Sequence, residues 1–224
     1  MEEIILLILI LLTMLTIFCL YKMLDKRGLY FSLVITTLIA FVLSFKITSV
    51  FKMNINIGIV PLIASLSTIY IFITKYGYKE CKELIKITLY SNITTSLLIA
   101  TMNYFIPAIT ETISINMEGT FAYNYKILIT YPIIITISQI LVIKLYKSIK
   151  QIINNMPMCI MLTYIITGLL YTVIFYIFAY LKTIEIKYSI YIGISSFIIG
   201  LVITLINITL IYYITNKKVK QWET

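Results

Sequence analysis

The sequence predicts an all-α fold, a polytopic membrane helix bundle of about seven transmembrane helices. Three observations predict it. First, 61% of the 224 residues are hydrophobic and the mean hydropathy is +1.01, beyond what a water-soluble domain tolerates. Second, the apolar residues fall into seven runs, each about long enough to cross a bilayer. Third, the charges alternate from connection to connection. One side collects thirteen cations: Lys22, Lys26, Arg27, Lys75, Lys79, Lys82, Lys86, Lys144, Lys147, Lys150, Lys217, Lys218 and Lys220. The other holds five, Lys46, Lys52, Lys126, Lys182 and Lys187, among Glu2, Glu3, Glu111, Glu118 and Glu185. Lysine and arginine mark the cytoplasmic side. The N-terminus is therefore expected outside a cell membrane and the C-terminus in the cytoplasm, which requires an odd number of spans.

Taken in order, the predicted runs are Ile4–Tyr21, Leu29–Phe51, Ile57–Ile73, Leu84–Ile106, Ile127–Tyr146, Met158–Leu181 and Ile190–Ile214. The first follows an acidic pair and no small-residue cleavage site closes it, so it reads as a retained span and not a signal peptide. The second carries Thr37, Ser44 and Thr48, and the third Ser67, Tyr70 and Thr74. The fourth carries Asn92, Ser96 and Asn103. After it comes the one long connection, Pro107 to Tyr125, with room for a short interfacial helix. The fifth run lies between Lys126 and Lys150 and holds Pro132, Thr136 and Gln139 on one helix face. Pro132 lacks an N–H and frees the carbonyl of Leu128, so that face is expected against protein, with the other helices covering it. The sixth run has Tyr164, Thr167, Gly168 and Tyr171, and the seventh Gly193, Ser196, Gly200 and Asn207. Offsets of three, four and seven put each set on one face.

These polar stripes have two readings. Small residues let helices approach, and hydroxyls and amides bond between them for about 0.6–2 kcal/mol each. Ser196 and Gly200 need no more than that. Alternatively the stripes line a midplane cavity for a small solute. A carboxamide is costly to bury unpaired, so Asn92, Gln139 and Asn207 are the candidate solute ligands. Lys126 either snorkels to the interface or attracts an anionic or carbonyl-bearing solute. Tyr70 and Tyr171 either stack on a flat ligand or fill its space.

Composition narrows the chemistry. There is no histidine and almost no acid within a run, so metal sites and general acid–base pairs lack their parts. No metal or cofactor is expected. Paired aspartates, H-E-x-x-H and the G-x-x-x-x-G-K-[ST] phosphate loop are absent, and no enzyme is expected. Cys19, Cys81 and Cys159 are read as free thiols. The net charge of +9 belongs to span flanks and not to nucleic-acid contact. The tail lysines Lys217, Lys218 and Lys220 read as a topology anchor or a contact for anionic headgroups.

Several stretches resemble the VUT family of integral membrane proteins, the vitamin-uptake and queuosine-precursor transporters. Lys26-Arg27-Gly28-Leu29-Tyr30 is similar to the family's K-x-G-L-Y. Gly58 and the later Tyr76-Gly77-Tyr78-Lys79 look like its third span, closing in Y-G-K-K. Lys126 with Ser138-Gln139 resembles R-I-x-x-x-S…S-Q. Tyr171-Thr172-Val173-Ile174-Phe175 stands where members read D-S-x-I-F, and Asn207-Ile208-Thr209 where they read D-T-P. The chain departs from the family where the family is charged. The acidic pair of the third span is replaced around Ile69, Tyr70 and Thr74, an asparagine by Phe41, and S-Q-x-x-D by Thr167, Gly168 and Tyr171. A lysine of the last span becomes Gly200.

The resemblance implies one integral membrane domain over residues 1–224. It comprises a peripheral first span (1–22), a six-span transporter-like core (29–214) and a basic cytoplasmic tail (215–224). Together with the polar stripes, it implies a substrate site for a hydrogen-bonding heterocycle at Gln139, Ser138, Asn207, Asn92, Lys126, Tyr70, Tyr171 and Thr74, with Asn92 coming from the stripes alone. The implied partners are the lipid bilayer, a small heterocyclic solute and a second copy of the chain, with no nucleic acid. Loss of the acids leaves a second expectation open: a membrane scaffold, sensor or subunit that keeps the fold without the substrate site.

Overall fold

The computed structural model describes residues 1–102, 125–180 and 184–216. Seven helices in it are long and apolar enough to cross a membrane. They are α1 (Glu2–Leu24), α2 (Lys26–Leu43), α3 (Ile59–Tyr76), α4 (Cys81–Met102), α5 (Tyr125–Ile152), α6 (Met156–Tyr180) and α7 (Ile186–Asn216). The protein is an all-α bundle with one small addition, an antiparallel hairpin of β1 (Ile47–Val50) and β2 (Met53–Asn56) between α2 and α3.

Six helices form a ring in the order α1, α2, α4, α5, α6, α7, which closes on α1, and α3 runs up the middle. Of the α3 span 83% is buried, against half or less for every other helix. The helix α5, expected to have one side toward lipid and one side covered by the other helices, is a ring helix with 50% of its span buried. The difference lies in side-chain size. Every residue from Ile59 to Ile73 is buried, and small groups occur on several faces of α3. Ser65, Ser67 and Thr68 turn their hydroxyls onto the carbonyls of Leu62, Ile63 and Ala64. A helix whose polar groups are satisfied internally can be enclosed on all sides. At the other extreme are α1, with a mean hydropathy of 3.0 and 22% of its span buried, and α4, with 17%.

The hairpin corrects the expected second span. That run was predicted helical to Phe51, but α2 stops at Leu43. Ile47–Phe51 is rich in β-branched residues (Ile47, Thr48 and Val50) and too short for periodicity to separate strand from helix. Phe51 and Lys52 form the two-residue turn, both at positive φ (50° and 61°), which matches a type I′ geometry. No Asn-Gly pair announces it. Thr48, expected on a helical stripe, instead donates to Glu2 Oε2 at 3.3 Å, and the Phe51 N–H reaches Glu3 Oε1 at 3.4 Å.

These contacts put the hairpin at the N-terminal end of α1. The opposite end is bound by its own set. The α1–α2 turn at Asp25 accepts the Tyr76 hydroxyl at 2.8 Å. Lys26 pairs with Glu80, and Lys75 donates to the Tyr21 hydroxyl. Gly28 allows the tight return of α2, since a Cβ there would stand 1.9 Å from the Leu20 carbonyl oxygen. Thr215 at the end of α7 meets Met156 at the start of α6. Alternate helices therefore run in opposite directions. Among the described residues this end carries Lys22, Lys26, Arg27, Lys75, Lys79, Lys82, Lys86, Lys144, Lys147 and Lys150. The hairpin end carries Lys46, Lys52, Lys126 and Lys187. The expected interfacial helix between Pro107 and Tyr125, Asn103, Lys182 and the basic tail lie outside the described residues.

Candidate functional site in the bundle interior

All three candidate carboxamides are inside the bundle: Gln139 is 0% exposed, Asn92 1% and Asn207 1%. They do not meet in one place. Gln139 on α5 accepts a hydrogen bond from Thr88 Oγ1 on α4 at 2.9 Å. Its Nε2 has no partner among the described residues. Asn92 lies one turn beyond Thr88 on α4, and neither Oδ1 nor Nδ2 has a partner among the described residues. Asn207 on α7 donates to Ser67 Oγ on α3 at 3.0 Å, and its Oδ1 has no partner among them. A buried polar group left unpaired costs about 1–3 kcal/mol, so these amides are unsatisfied as packed here.

The remaining candidates separate further. Ser138 and Tyr171 line a central cavity of about 10 Å³ with Tyr164, Thr167, Gly168 and α3 side chains. That volume admits about one water molecule. Gln139, Asn92 and Asn207 are not in its walls. The Thr74 hydroxyl donates to the Tyr70 carbonyl at 2.8 Å. Tyr70 packs on Tyr146 at 5.2 Å between ring centroids, its hydroxyl without a hydrogen-bond partner among the described residues. Lys126 is partly exposed in the first turn of α5.

Aromatic rings fill the space between these groups. Phe41 stacks on Tyr131 at 4.8 Å, and the Tyr131 hydroxyl donates to the Thr37 carbonyl at 3.0 Å. Tyr131 meets Phe175 edge-on at 6.2 Å, and Phe175 stacks on Tyr171 at 5.2 Å. Tyr164 stacks on Phe197 at 5.8 Å with the rings 4° from parallel. Its hydroxyl occupies the notch left by Gly200, where a Cβ would stand 1.9 Å away. Phe41, Tyr70 and Tyr171 are aromatic, and Gly200 admits an aromatic ring. Among the described residues Tyr70 and Tyr171 therefore fill space, and the cavity that Tyr171 lines there is about 10 Å³.

Most hydroxyls of the stripes bond within their own helix, as Thr136 does to the Pro132 carbonyl at 2.7 Å and Thr167 to the Thr163 carbonyl at 2.8 Å. Ser196 is different. Expected only as a packing residue, it accepts the Tyr176 hydroxyl at 2.8 Å and the Asn56 N–H at 3.0 Å. Asn56, which the sequence reading missed, is the hub of this cluster. Its Nδ2 donates to the Ser44 carbonyl at 2.6 Å and the Tyr180 hydroxyl at 3.2 Å, and its Oδ1 accepts the Gly58 N–H at 2.8 Å. The available signal was Asn-x-Gly ahead of an apolar run, the pattern of an Asx turn. The chain matches no protein-family profile, no curated protein and no solved structure.

Proposed function

We propose that this integral membrane protein is a small-solute transporter of the vitamin-uptake or queuosine-precursor kind, with its central site closed. The observation that supports this reading is a convergence. Ser138 on α5 and the α6 stripe residues Thr167, Gly168 and Tyr171, linked across the two helices in the sequence only by the VUT resemblance, surround one cavity against α3. Alternating access passes through closed states in which the midplane site is covered, and Tyr164 and Tyr171 are the side chains that would move to admit a solute. With no phosphate loop in the chain, the energy comes from a gradient, a partner or the solute's own concentration difference.

The test is uptake of a labelled deazapurine by cells that lack other routes for it. Wild type is expected to raise uptake above the empty vector. Ser138→Ala, in the cavity wall, is expected to lower it about tenfold, the loss of one buried polar contact. Uptake at vector level from a folded, membrane-inserted protein would overturn the reading. That result would favour a non-transporting scaffold, sensor or subunit on the same bundle. The cavity's volume of about 10 Å³ supports this second reading, since sites for drug-sized molecules are about 300 Å³ or larger.

We place the protein in the cell membrane with the hairpin end outside and the lysine-rich end in the cytoplasm. In a background with Cys19, Cys81 and Cys159 replaced by serine, Ser49→Cys on the exposed face of β1 should react with an impermeant maleimide in intact cells. Ser148→Cys on α5 should react only after permeabilisation. The reverse pattern would invert the topology.

A further inference from the structure

The lysine-rich end of the α4–α5 seam holds a groove of about 400 Å³ that the central site does not use. Four lysines line it, Lys82 and Lys86 from α4 and Lys144 and Lys147 from α5, above a floor that includes Ile85 and Ile143. All four lysines are exposed, no carboxylate is in the walls, and none of the four is ion-paired among the described residues. Lys147 leans over the Tyr78 ring at 5.7 Å. The groove thus combines an unneutralised cluster of cations with an apolar slot lined by Ile85, Ile140 and Ile143. Only 17% of the α4 span is buried. A second groove of similar size, about 420 Å³ between α2 and α4, carries the single cation Arg27 and lacks this charge.

We infer that the α4–α5 groove holds an anionic glycerophospholipid, its phosphate against the lysines and an acyl chain along the isoleucines. Charge complementarity selects the headgroup, as in other basic pockets between transmembrane helices. The apolar floor selects a lipid over a free anion. Occupancy completes the cover of α4 beside the Thr88–Gln139 bond, which lies about one turn farther along the same seam. The inference stands whatever the central site carries.

The test is lipid binding by the full chain in uncharged detergent, read by native mass spectrometry against phosphatidylglycerol, phosphatidylcholine and inorganic phosphate. Wild type is expected to retain phosphatidylglycerol at least about tenfold over phosphatidylcholine. Replacing Lys82, Lys86 and Lys144 by glutamine should weaken phosphatidylglycerol about a hundredfold, at roughly one charge contact per lysine. A control with the same charge change, Lys22, Lys79 and Lys150 to glutamine, should stay within about threefold of wild type. Ile143→Trp, which fills the slot and spares the lysines, should also reduce retention. Circular dichroism and elution volume check that each variant is folded. Equal binding of the two lipids, or equal losses in the two triple variants, would overturn the inference. So would displacement of the lipid by millimolar phosphate with Ile143→Trp unaffected.

Discussion

Asn56→Leu is expected to lower the unfolding free energy in detergent by about 3–5 kcal/mol. The side chain makes three hydrogen bonds, to the Ser44 carbonyl, the Tyr180 hydroxyl and the Gly58 N–H. Leucine removes all three and leaves the Ser44 carbonyl and the Gly58 N–H to be desolvated without this partner. Asn56 is 2% exposed, so water cannot replace the lost bonds cheaply. Because these bonds join β2 to the end of α2, the start of α3 and α6, the loss should loosen the hairpin end as a unit. Asn54→Leu, on the same strand but exposed, is the control and should change stability by about 0.5 kcal/mol or less. Equal effects from the two variants would mean that Asn56 is not the hub of this end. Reversible unfolding monitored by circular dichroism supplies the comparison.

Tyr171→Ala is expected to cost about 2–4 kcal/mol, while Tyr171→Phe stays within about 1 kcal/mol of wild type. Deleting the ring removes the stack on Phe175 and enlarges the cavity beside Ser138. The cost is set below the soluble-protein range for a large aromatic because the separated helices would still bury the ring in lipid. What remains is the lost packing around a void. The variant also bears on function. If the central site admits a heterocycle, the enlarged cavity should let added deazapurine raise the melting temperature of Tyr171→Ala more than that of wild type. A loss of less than about 1 kcal/mol would show that the ring is loosely held and that the interior is not sealed at this point.

How far the site was legible follows from particular residues. Gln139, Asn92 and Asn207 could be marked from the sequence because an amide within an apolar run must face protein. That argument needs only the period of one helix. Their partners could not be marked, because Thr88 and Ser67 lie 51 and 140 residues away along the chain and many hydroxyls were equally available. Tyr164 and Gly200 show the same limit. Each was assigned to its own helix face, but the fit of the hydroxyl into the glycine notch exists only where α6 and α7 are brought together.

The sequence by itself determined the number of membrane-crossing helices, their alternation in direction, and the inward placement of Asn92, Gln139 and Asn207. Hydropathy, charge and helical period are properties of one segment at a time, and the bilayer acts on segments. Only the tertiary structure decided that α3 is the central helix, that Ile47–Asn56 is a hairpin, and that aromatic rings contract the central cavity to about 10 Å³. Those outcomes depend on the volumes of side chains from different helices meeting at one point. No pattern within a single helix carries that sum.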